Sequence, residues 1–280
     1  MASLSRAARA LSTRAHRPFG KQDALRLRAV GTGANVRAAA NPGVRVEPAF
    51  FDEQFELALA AEARALVDEC GYRLQGETAT LAIGADGSRA STARRANNAR
   101  VTGRYERPEQ TCAAWGYGDN CQPDALPPAI RQLAERLQAH PSFALGKLRD
   151  VTINARTDAF FQLDPHVDPA ADGENVLIAN LLSSAVLTFT PAQPPAGLER
   201  RTDAAVVGER SWTDADVDCL LERRTVVHFC AAARSRWMHA IRSGVLVDVD
   251  GEDKVADWWG QIDYLIGRQP ERISIVFAFA

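Results

Sequence analysis

The sequence has no apolar run near the 18 residues that a membrane-spanning helix requires, so we expect no membrane span. It also lacks a strong excess of either charge, because 33 Lys and Arg residues stand against 35 Asp and Glu residues. A protein with this balance does not coat nucleic acid by bulk charge, and any such contact needs a local basic patch. With 46% hydrophobic residues, the chain can bury a full globular core.

Cysteine is scarce, and no two cysteines form a CxxC motif. An odd number without close pairs is typical of reduced residues in a reducing compartment. Cys112 and Cys121 are close enough in sequence to pair or to share a metal, but no second Cys or His cluster accompanies them. We therefore predict reduced thiols at all five positions: Cys70, Cys112, Cys121, Cys219 and Cys230.

The first 46 residues differ in composition from the rest of the chain. They contain nine Arg or Lys residues and a single acid, Asp23, and much of the remainder is Ala, Ser and Thr. This pattern is typical of a disordered organellar transit peptide, and it lacks the apolar core of a secretory signal. The Met-Ala-Ser start and residues 36–39 favour a chloroplast, whereas the regular Arg spacing also suits a mitochondrion. A basic tail that binds polyanions is the alternative.

Beyond residue 46 the pattern predicts one domain, residues 47–280, with two helices followed by short strands. Asp52 is a predicted N-cap and Gly71 a predicted stop for the first helix, and Pro127-Pro128 opens the second, Ala129–Ala139. Such an order predicts a mainly β fold with flanking helices, a double-stranded β-helix or jelly roll. The predicted strands are Leu148–Ile153, Val176–Leu182, Ala185–Thr190, Thr225–Phe229, Gly244–Val249 and Ile273–Phe279. The acidic stretch from Asp248 to Asp257 is predicted to be an insertion between strands.

His166 and Asp168 form a candidate pair of metal ligands. Side chains alternate along a strand, so a His and a carboxylate two positions apart point to the same face. One distant His can complete a two-His, one-carboxylate set, which leaves positions open on Fe(II) for a chelating cosubstrate and O₂. His239 follows a polar, basic turn and is our candidate. His228 is the alternative, although its apolar surroundings are typical of a core histidine.

This chemistry also needs a cation for the far carboxylate of the cosubstrate. Arg272 begins a strongly apolar terminal run, and a guanidinium offers a carboxylate two parallel donors while staying charged. A plain strand-edge charge is the alternative for Arg272, and Arg242 or Arg156 could supply the cation instead. Asn154 is a candidate donor to the same cosubstrate, or else satisfies a strand end.

These residues, taken together, resemble the AlkB-like Fe(II)/2-oxoglutarate-dependent dioxygenases. The resemblance spans about residues 50–280. It implies a jelly-roll core, Fe(II) held by His166, Asp168 and His239, and 2-oxoglutarate held by Arg272 and Asn154, with O₂ as the second cosubstrate. It also implies oxidative demethylation of N-alkylated nucleic acid. The segments that carry it are Asn154, Pro165-His166-Val167-Asp168, residues 178–184, residues 234–241 and residues 272–277.

The sequence departs from the family pattern at several positions that line the pocket. The family's terminal strand reads Arg-x-Asn-x-Thr-x-Arg. Here Arg272 is present, but Ser274 replaces the Asn, Val276 the Thr and Ala278 the second Arg. The family's Asn-x-Tyr is Asn154-Ala155-Arg156. These changes leave the predicted iron ligands intact but remove groups that line the cosubstrate and substrate pocket.

A basic segment, residues 85–107, is the candidate contact surface for methylated DNA or RNA. We expect it to form an exposed loop or hairpin, and we select Arg94, Arg95 and Arg100 within it as substrate-binding residues. A solvated face without a binding role is the alternative. Two other functions stay open: a hydroxylase or demethylase of a protein or small molecule, and a non-catalytic metal-binding jelly roll. We expect a monomer.

The N-terminal composition generates a first testable prediction. A fluorescent protein fused to residues 1–50 should enter the chloroplast, or otherwise the mitochondrion, and residues 1 to about 40 should be removed on import. Imaging of the fusion and N-terminal sequencing of the imported protein measure both. A diffuse cytosolic signal would leave the segment as a basic tail without a targeting role.

Overall fold

A computed structural model describes residues 41–74, 94–96, 98–104, 113–192, 217–241, 244–249, 252–259 and 261–280. The targeting prediction on residues 1–40 lies outside these ranges. The described helices are α1 (Glu53–Glu69), α2 (Pro128–Ala139) and α3 (Ala231–Ser235). The described strands are β1 (Val44–Glu47), β2 (Tyr72–Leu74), β3 (Arg94–Ala96), β4 (Asn98–Thr102), β5 (Leu148–Arg156), β6 (Leu163–His166), β7 (Asn175–Leu181), β8 (Ala185–Pro191), β9 (Val217–Leu221), β10 (Thr225–Phe229), β11 (Trp237–Ile241), β12 (Val245–Val249), β13 (Glu252–Trp259), β14 (Gln261–Gly267) and β15 (Arg272–Phe279).

Two antiparallel sheets form the core. The larger sheet has the strand order β1-β10-β7-β15-β5-β4, and the smaller has the order β6-β11-β8-β9. Apolar side chains of both sheets form one buried cluster between them, in which the Phe189 and Phe229 rings lie 5.2 Å apart. This confirms the predicted mainly β fold with a jelly-roll core.

Helices α1 and α2 cover the outer face of the larger sheet. Their buried side chains pack with Val151, Ile153, Ile275 and Phe277 in a second apolar cluster. Asp52 is the N-cap of α1, as predicted, and its carboxylate accepts a hydrogen bond from the Phe55 amide at 2.7 Å. Both predicted helices are confirmed, and α2 begins one residue earlier than expected.

The alternation of side chains along the larger sheet decides which residues can reach the interior. On β15, Ile273 and Ile275 face the helices, so Arg272 and Ser274 face the interior between the sheets. On β10, Val227 and Phe229 are in the interior cluster, so His228 faces the helices. There His228 contacts the Phe143 ring at 5.1 Å.

Glu56 joins α1 to the sheets through a buried carboxylate. It is fully buried, accepts a hydrogen bond from the Leu182 amide at 2.8 Å, and forms an ion pair with Arg223 at 2.7 Å. Removing Arg223 would leave the charge of the buried Glu56 carboxylate without its ion-pair partner, which would destabilise the fold. It lies on α1, outside the interior between the sheets.

Several features differ from the sequence prediction. β1 starts at Val44 and pairs with β10, so the folded unit begins before the predicted boundary at residue 47. The predicted acidic insertion lies in a three-stranded antiparallel sheet, β12-β13-β14. The basic segment contains β4, an edge strand of the larger sheet, where we expected a loop or a separate hairpin.

Two further expectations concern cysteine and the membrane. Cys70 is disulfide-bonded, so the prediction of reduced thiols is wrong there, whereas Cys121, Cys219 and Cys230 are free. Within the described part of the chain, no helix is both long and apolar enough to cross a membrane.

Candidate metal and cosubstrate site

His239 meets His166 and Asp168, which lie far from it in sequence, at the smaller sheet. His239 on β11 pairs in register with His166, the last residue of β6. Asp168 follows two residues later, with its Oδ1 3.5 Å from His166 Nε2 and 3.9 Å from His239 Nε2. One ligand atom from each residue lies within 4.8 Å of the others, close enough to share one metal ion. The strand ends at His166, so the turn that follows, rather than strand alternation, brings Asp168 to the site.

Hydrogen bonding fixes the ring of His166. Its Nδ1 lies 2.8 Å from the Asp164 carbonyl oxygen, and a carbonyl only accepts, so Nδ1 donates. Nε2 is therefore the atom left to bind a cation. Burial opposes protonation, but the Asp168 carboxylate and the Asp164 carbonyl raise the pKa of His166 overall. The site thus favours a positive charge at this position, which a metal ion would supply.

His239 and Asp168 complete a donor set suited to a divalent metal. Burial lowers the pKa of His239 to about 4, so its ring is neutral at physiological pH, as metal binding requires. Burial raises the pKa of Asp168, but the hydrogen bond from His166 and the electrostatic interactions with His239, His166 and Arg234 outweigh this and lower it. Asp168 Oδ2 is buried and has no hydrogen-bond partner among the described residues. Such an orphaned oxygen fits a carboxylate that binds a cation.

The segment that carries Asp168 is fixed by residues that the sequence analysis missed. Arg234 on α3 is 5% exposed and donates to the carbonyl oxygens of Asp168, at 2.8 Å, and Pro169. Four residues beyond the ligand, Asp172 accepts a hydrogen bond from the Tyr117 hydroxyl at 2.6 Å. Both residues lie in segments that resemble the AlkB-like family, but the sequence does not predict these hydrogen bonds, because their partners lie far away in the chain.

Arg272 lies on the interior face of the larger sheet and is 4% exposed. Its Nε donates to Asn180 Oδ1 at 2.8 Å, while its two terminal nitrogens have no hydrogen-bond partner among the described residues. Burial, together with the charges of Arg156 and Arg268, lowers the pKa of Arg272 to about 9. An anion at this position would relieve the unfavourable burial of positive charge.

Two neighbours shape the surroundings of Arg272. Arg156 is its direct partner across β5 and β15, and burial and the charge of Arg100 lower the pKa of Arg156 to about 10. Asn180, which the sequence analysis did not select, accepts from Arg272 while its own amide donates to three carbonyl oxygens. Those oxygens belong to Ser183, Leu221 and Glu222.

The other predicted site residues differ in their placement. Asn154 is half-buried on β5 and pairs with Ser274 and Arg100 in the adjacent strands, so it shares the interior face with Arg156. Arg100 is exposed, and its charge lowers the pKa of both Arg156 and His166, which places it on the site's side of the sheet. The side chains of Arg94 and Arg95 lie outside the described residues, as does Arg242.

His228, the alternative metal ligand, lies on the other face of the larger sheet. It is 7% exposed, its Nε2 lies 3.0 Å from Asn175 Oδ1, and burial lowers its pKa to about 4. It is a buried, hydrogen-bonded core histidine and not part of the cluster with His166 and Asp168.

No protein-family model and no curated protein matches the chain. Among solved structures, that of OsALKBH1 is similar, with a TM-score of 0.40 and 15% identity over 85% of this chain and 98% of that chain. At this level of similarity, no residue role carries over from one chain to the other.

The geometry predicts which histidine binds metal. Protein purified anaerobically should bind one Fe(II) per chain, and His166→Ala, Asp168→Ala or His239→Ala should each abolish binding, because two ligands hold iron weakly. His228→Ala is the matched control and should retain the metal while losing some stability. Iron content and calorimetric titration measure this. Loss of metal in His228→Ala, with retention in His239→Ala, would reverse the assignment.

Proposed function

We propose that the protein is a non-haem Fe(II)- and 2-oxoglutarate-dependent dioxygenase of AlkB type. The observation that carries the proposal is the cluster of His166, Asp168 and His239, with a buried, unpartnered carboxylate oxygen, in the same jelly roll as the buried and incompletely paired Arg272. Two histidines and one carboxylate are the ligand set of Fe(II) oxygenases. A carboxylate is the natural partner of a free guanidinium edge.

His166, Asp168 and His239 would hold Fe(II) and leave positions open for the cosubstrates. When bound, the iron supplies O₂ activation coupled to decarboxylation of 2-oxoglutarate, and thereby hydroxylation of a substrate C–H bond. The protein keeps its ligands ready for the metal. His166 is oriented by the Asp164 carbonyl, and Arg234 fixes the backbone of Asp168.

Arg272 would pair with the distal carboxylate of 2-oxoglutarate. Its Nε is already engaged by Asn180, so the guanidinium has a fixed orientation and presents the remaining nitrogens to a ligand. Arg156 supplies a second positive charge directly across the strand pair, where the resembled family has a tyrosine. Asn154, on the same face, is a further donor.

Apolar side chains around the metal ligands would limit access of water. The His239 ring lies 5.0 Å from the Phe229 ring and 6.0 Å from the Phe189 ring, and His239 is 4% exposed. A low-dielectric environment strengthens the interactions that orient the cosubstrate and protects reactive species from side reactions. His166 is more exposed, so the substrate would approach from its side.

For the substrate we propose N-alkylated nucleic acid, methylated DNA or RNA, in which hydroxylation of an N-methyl group leads to loss of formaldehyde. Arg100 supports this, because it is an exposed cation on the β4 edge strand near His166. A protein or small-molecule substrate is the alternative, and a metal-binding protein without turnover is a third function. The basic N-terminus supports a site of action in the chloroplast, or otherwise the mitochondrion.

The cosubstrate assignment predicts a graded effect of arginine replacement. Arg272→Ala should raise the 2-oxoglutarate KM by about 10- to 100-fold, and Arg272→Lys should recover only part of this because the fork geometry is lost. Arg156→Gln should raise it by a smaller factor, about 3- to 10-fold, because this side chain is less buried. Steady-state kinetics that follow succinate measure both.

The matched control is Arg64→Ala, which removes an exposed arginine paired with Glu271 at 2.6 Å on the outer surface. It should leave the KM unchanged. An unchanged KM in Arg272→Ala would assign the carboxylate to another cation.

The substrate class is tested by turnover and by salt dependence. The protein, incubated with methylated DNA, methylated RNA and methylated peptides, should release formaldehyde with the nucleic acids. The Arg94→Gln, Arg95→Gln, Arg100→Gln triple variant should flatten the log–log salt dependence of nucleic-acid binding by about 2 to 3 units. Its 2-oxoglutarate affinity should not change.

Robust turnover of the peptide or of a small molecule alone would replace the nucleic-acid substrate but keep the dioxygenase. Absence even of uncoupled 2-oxoglutarate turnover would favour the non-catalytic alternative.

A further inference from the structure

A buried ion pair joins the three-stranded sheet β12-β13-β14 to the jelly roll. Asp257 Oδ2 on β13 and Arg268 Nη2, just after β14, lie 2.7 Å apart, and both side chains are fully buried. The same Asp257 Oδ2 accepts a hydrogen bond from the Val186 amide of β8 at 2.9 Å. The inserted sheet is therefore attached to the core at a charged contact that water does not reach.

Arg268 extends this contact to the loop between β5 and β6. Its Nη1 donates to the Phe161 carbonyl at 2.7 Å and to the Ala159 carbonyl at 3.1 Å. Its Cζ also lies 4.3 Å from the centroid of the Phe161 ring. One guanidinium thus fixes both the backbone and the ring of Phe161, which is 7% exposed.

The same ring contacts the cation assigned to the cosubstrate. Arg272 Cζ lies 5.3 Å from the Phe161 centroid, within the range of a cation–π interaction. Asn180 holds only one edge of this guanidinium, through Nε. Phe161 supplies a second contact, and two contacts restrict the rotation that a single hydrogen bond allows.

The two buried arginines, Arg268 and Arg272, differ in whether a carboxylate neutralises them. Asp257 forms its ion pair with Arg268, whereas Arg272 has no carboxylate within ion-pair distance among the described residues. An incoming anion therefore gains more at Arg272 than at Arg268, which already has its counter-ion. The Asp257–Arg268 pair thereby directs the ligand to one of two adjacent buried cations.

We propose that Phe161 is a positioning residue for the distal carboxylate of the cosubstrate, and that the inserted sheet acts on this site through Asp257 and Arg268. This inference rests on the proposed 2-oxoglutarate function of Arg272. It assigns to β12-β13-β14 a role in cosubstrate affinity, with Phe161 acting through Arg272 and not by contact with the reacting atoms.

The decisive experiment compares Phe161→Leu with Phe161→Tyr. Binding of 2-oxoglutarate is titrated calorimetrically to the anaerobic Fe(II) protein, and pyruvate, which lacks the distal carboxylate, is the second probe. Phe161→Leu should raise the Kd for 2-oxoglutarate by about 3- to 20-fold, because the cation–π contact is lost. Phe161→Tyr should stay within about 2-fold of the unchanged protein, because the aromatic face is kept. Pyruvate and Fe(II) affinities should not change in either variant.

Two further variants separate positioning from stability. Asp257→Asn should lower the Kd for 2-oxoglutarate, since Arg268 then lacks its counter-ion and adds an uncompensated positive charge beside Arg272. Glu56→Gln alters the ion pair between the buried Glu56 carboxylate and the part-exposed Arg223, on the helix side of the larger sheet, and should lower the stability without changing the Kd for 2-oxoglutarate. If Asp257→Asn does not fold, the two Phe161 variants still test whether Phe161 positions Arg272.

Equal weakening in both Phe161 variants, or an equal loss of pyruvate affinity, would overturn the positioning role and leave Phe161 as a core residue. Absence of 2-oxoglutarate binding in the unchanged protein would instead refute the proposed function, and the positioning role with it. The first failure appears only in the variants and the second already in the parent protein, so the two are distinguishable.

Discussion

The pairing of β11 with β6 is the constraint on which the rest of the site depends. It places His239 opposite His166, although 72 positions separate them in the chain, and both imidazoles then reach the Asp168 carboxylate. A slip of one residue would turn the His239 side chain to the other face of the sheet. The apolar neighbours Trp237 and Ile241, which face the interior with His239, oppose such a slip.

Buried arginines surround the paired strands β6 and β11, and different groups balance the positive charge of each arginine. Arg234 donates to backbone carbonyls and fixes the segment of Asp168, while Arg268 is neutralised by Asp257. Arg272 has an amide oxygen and an aromatic ring, but no carboxylate among the described residues. A buried charge without a counter-ion destabilises the fold, and an anion bound at Arg272 would offset this cost.

Local patterns predicted the elements whose periodicity is clear. The apolar spacing from Phe55 onward and the Asp52 cap gave α1, and the β-branched runs gave β10 and most of β15. The strand β6 was missed because Leu163-Asp164-Pro165-His166 is short and polar, and β9 because five residues are too few to show a period. β13 was missed because its acidic residues resemble a loop, although Asp257 is in fact fully buried.

The sequence by itself determined the mainly β class, the two helices and the candidate ligand pair His166 and Asp168, because these follow from periodicity and residue chemistry. Only the tertiary structure decided between His239 and His228, since strand alternation puts one in the interior and the other under the helices. It alone revealed the hydrogen bonds of Arg234 and Asn180 and the contacts of Phe161. Their partners lie far away in the chain, and no local pattern encodes a long-range hydrogen bond or ion pair.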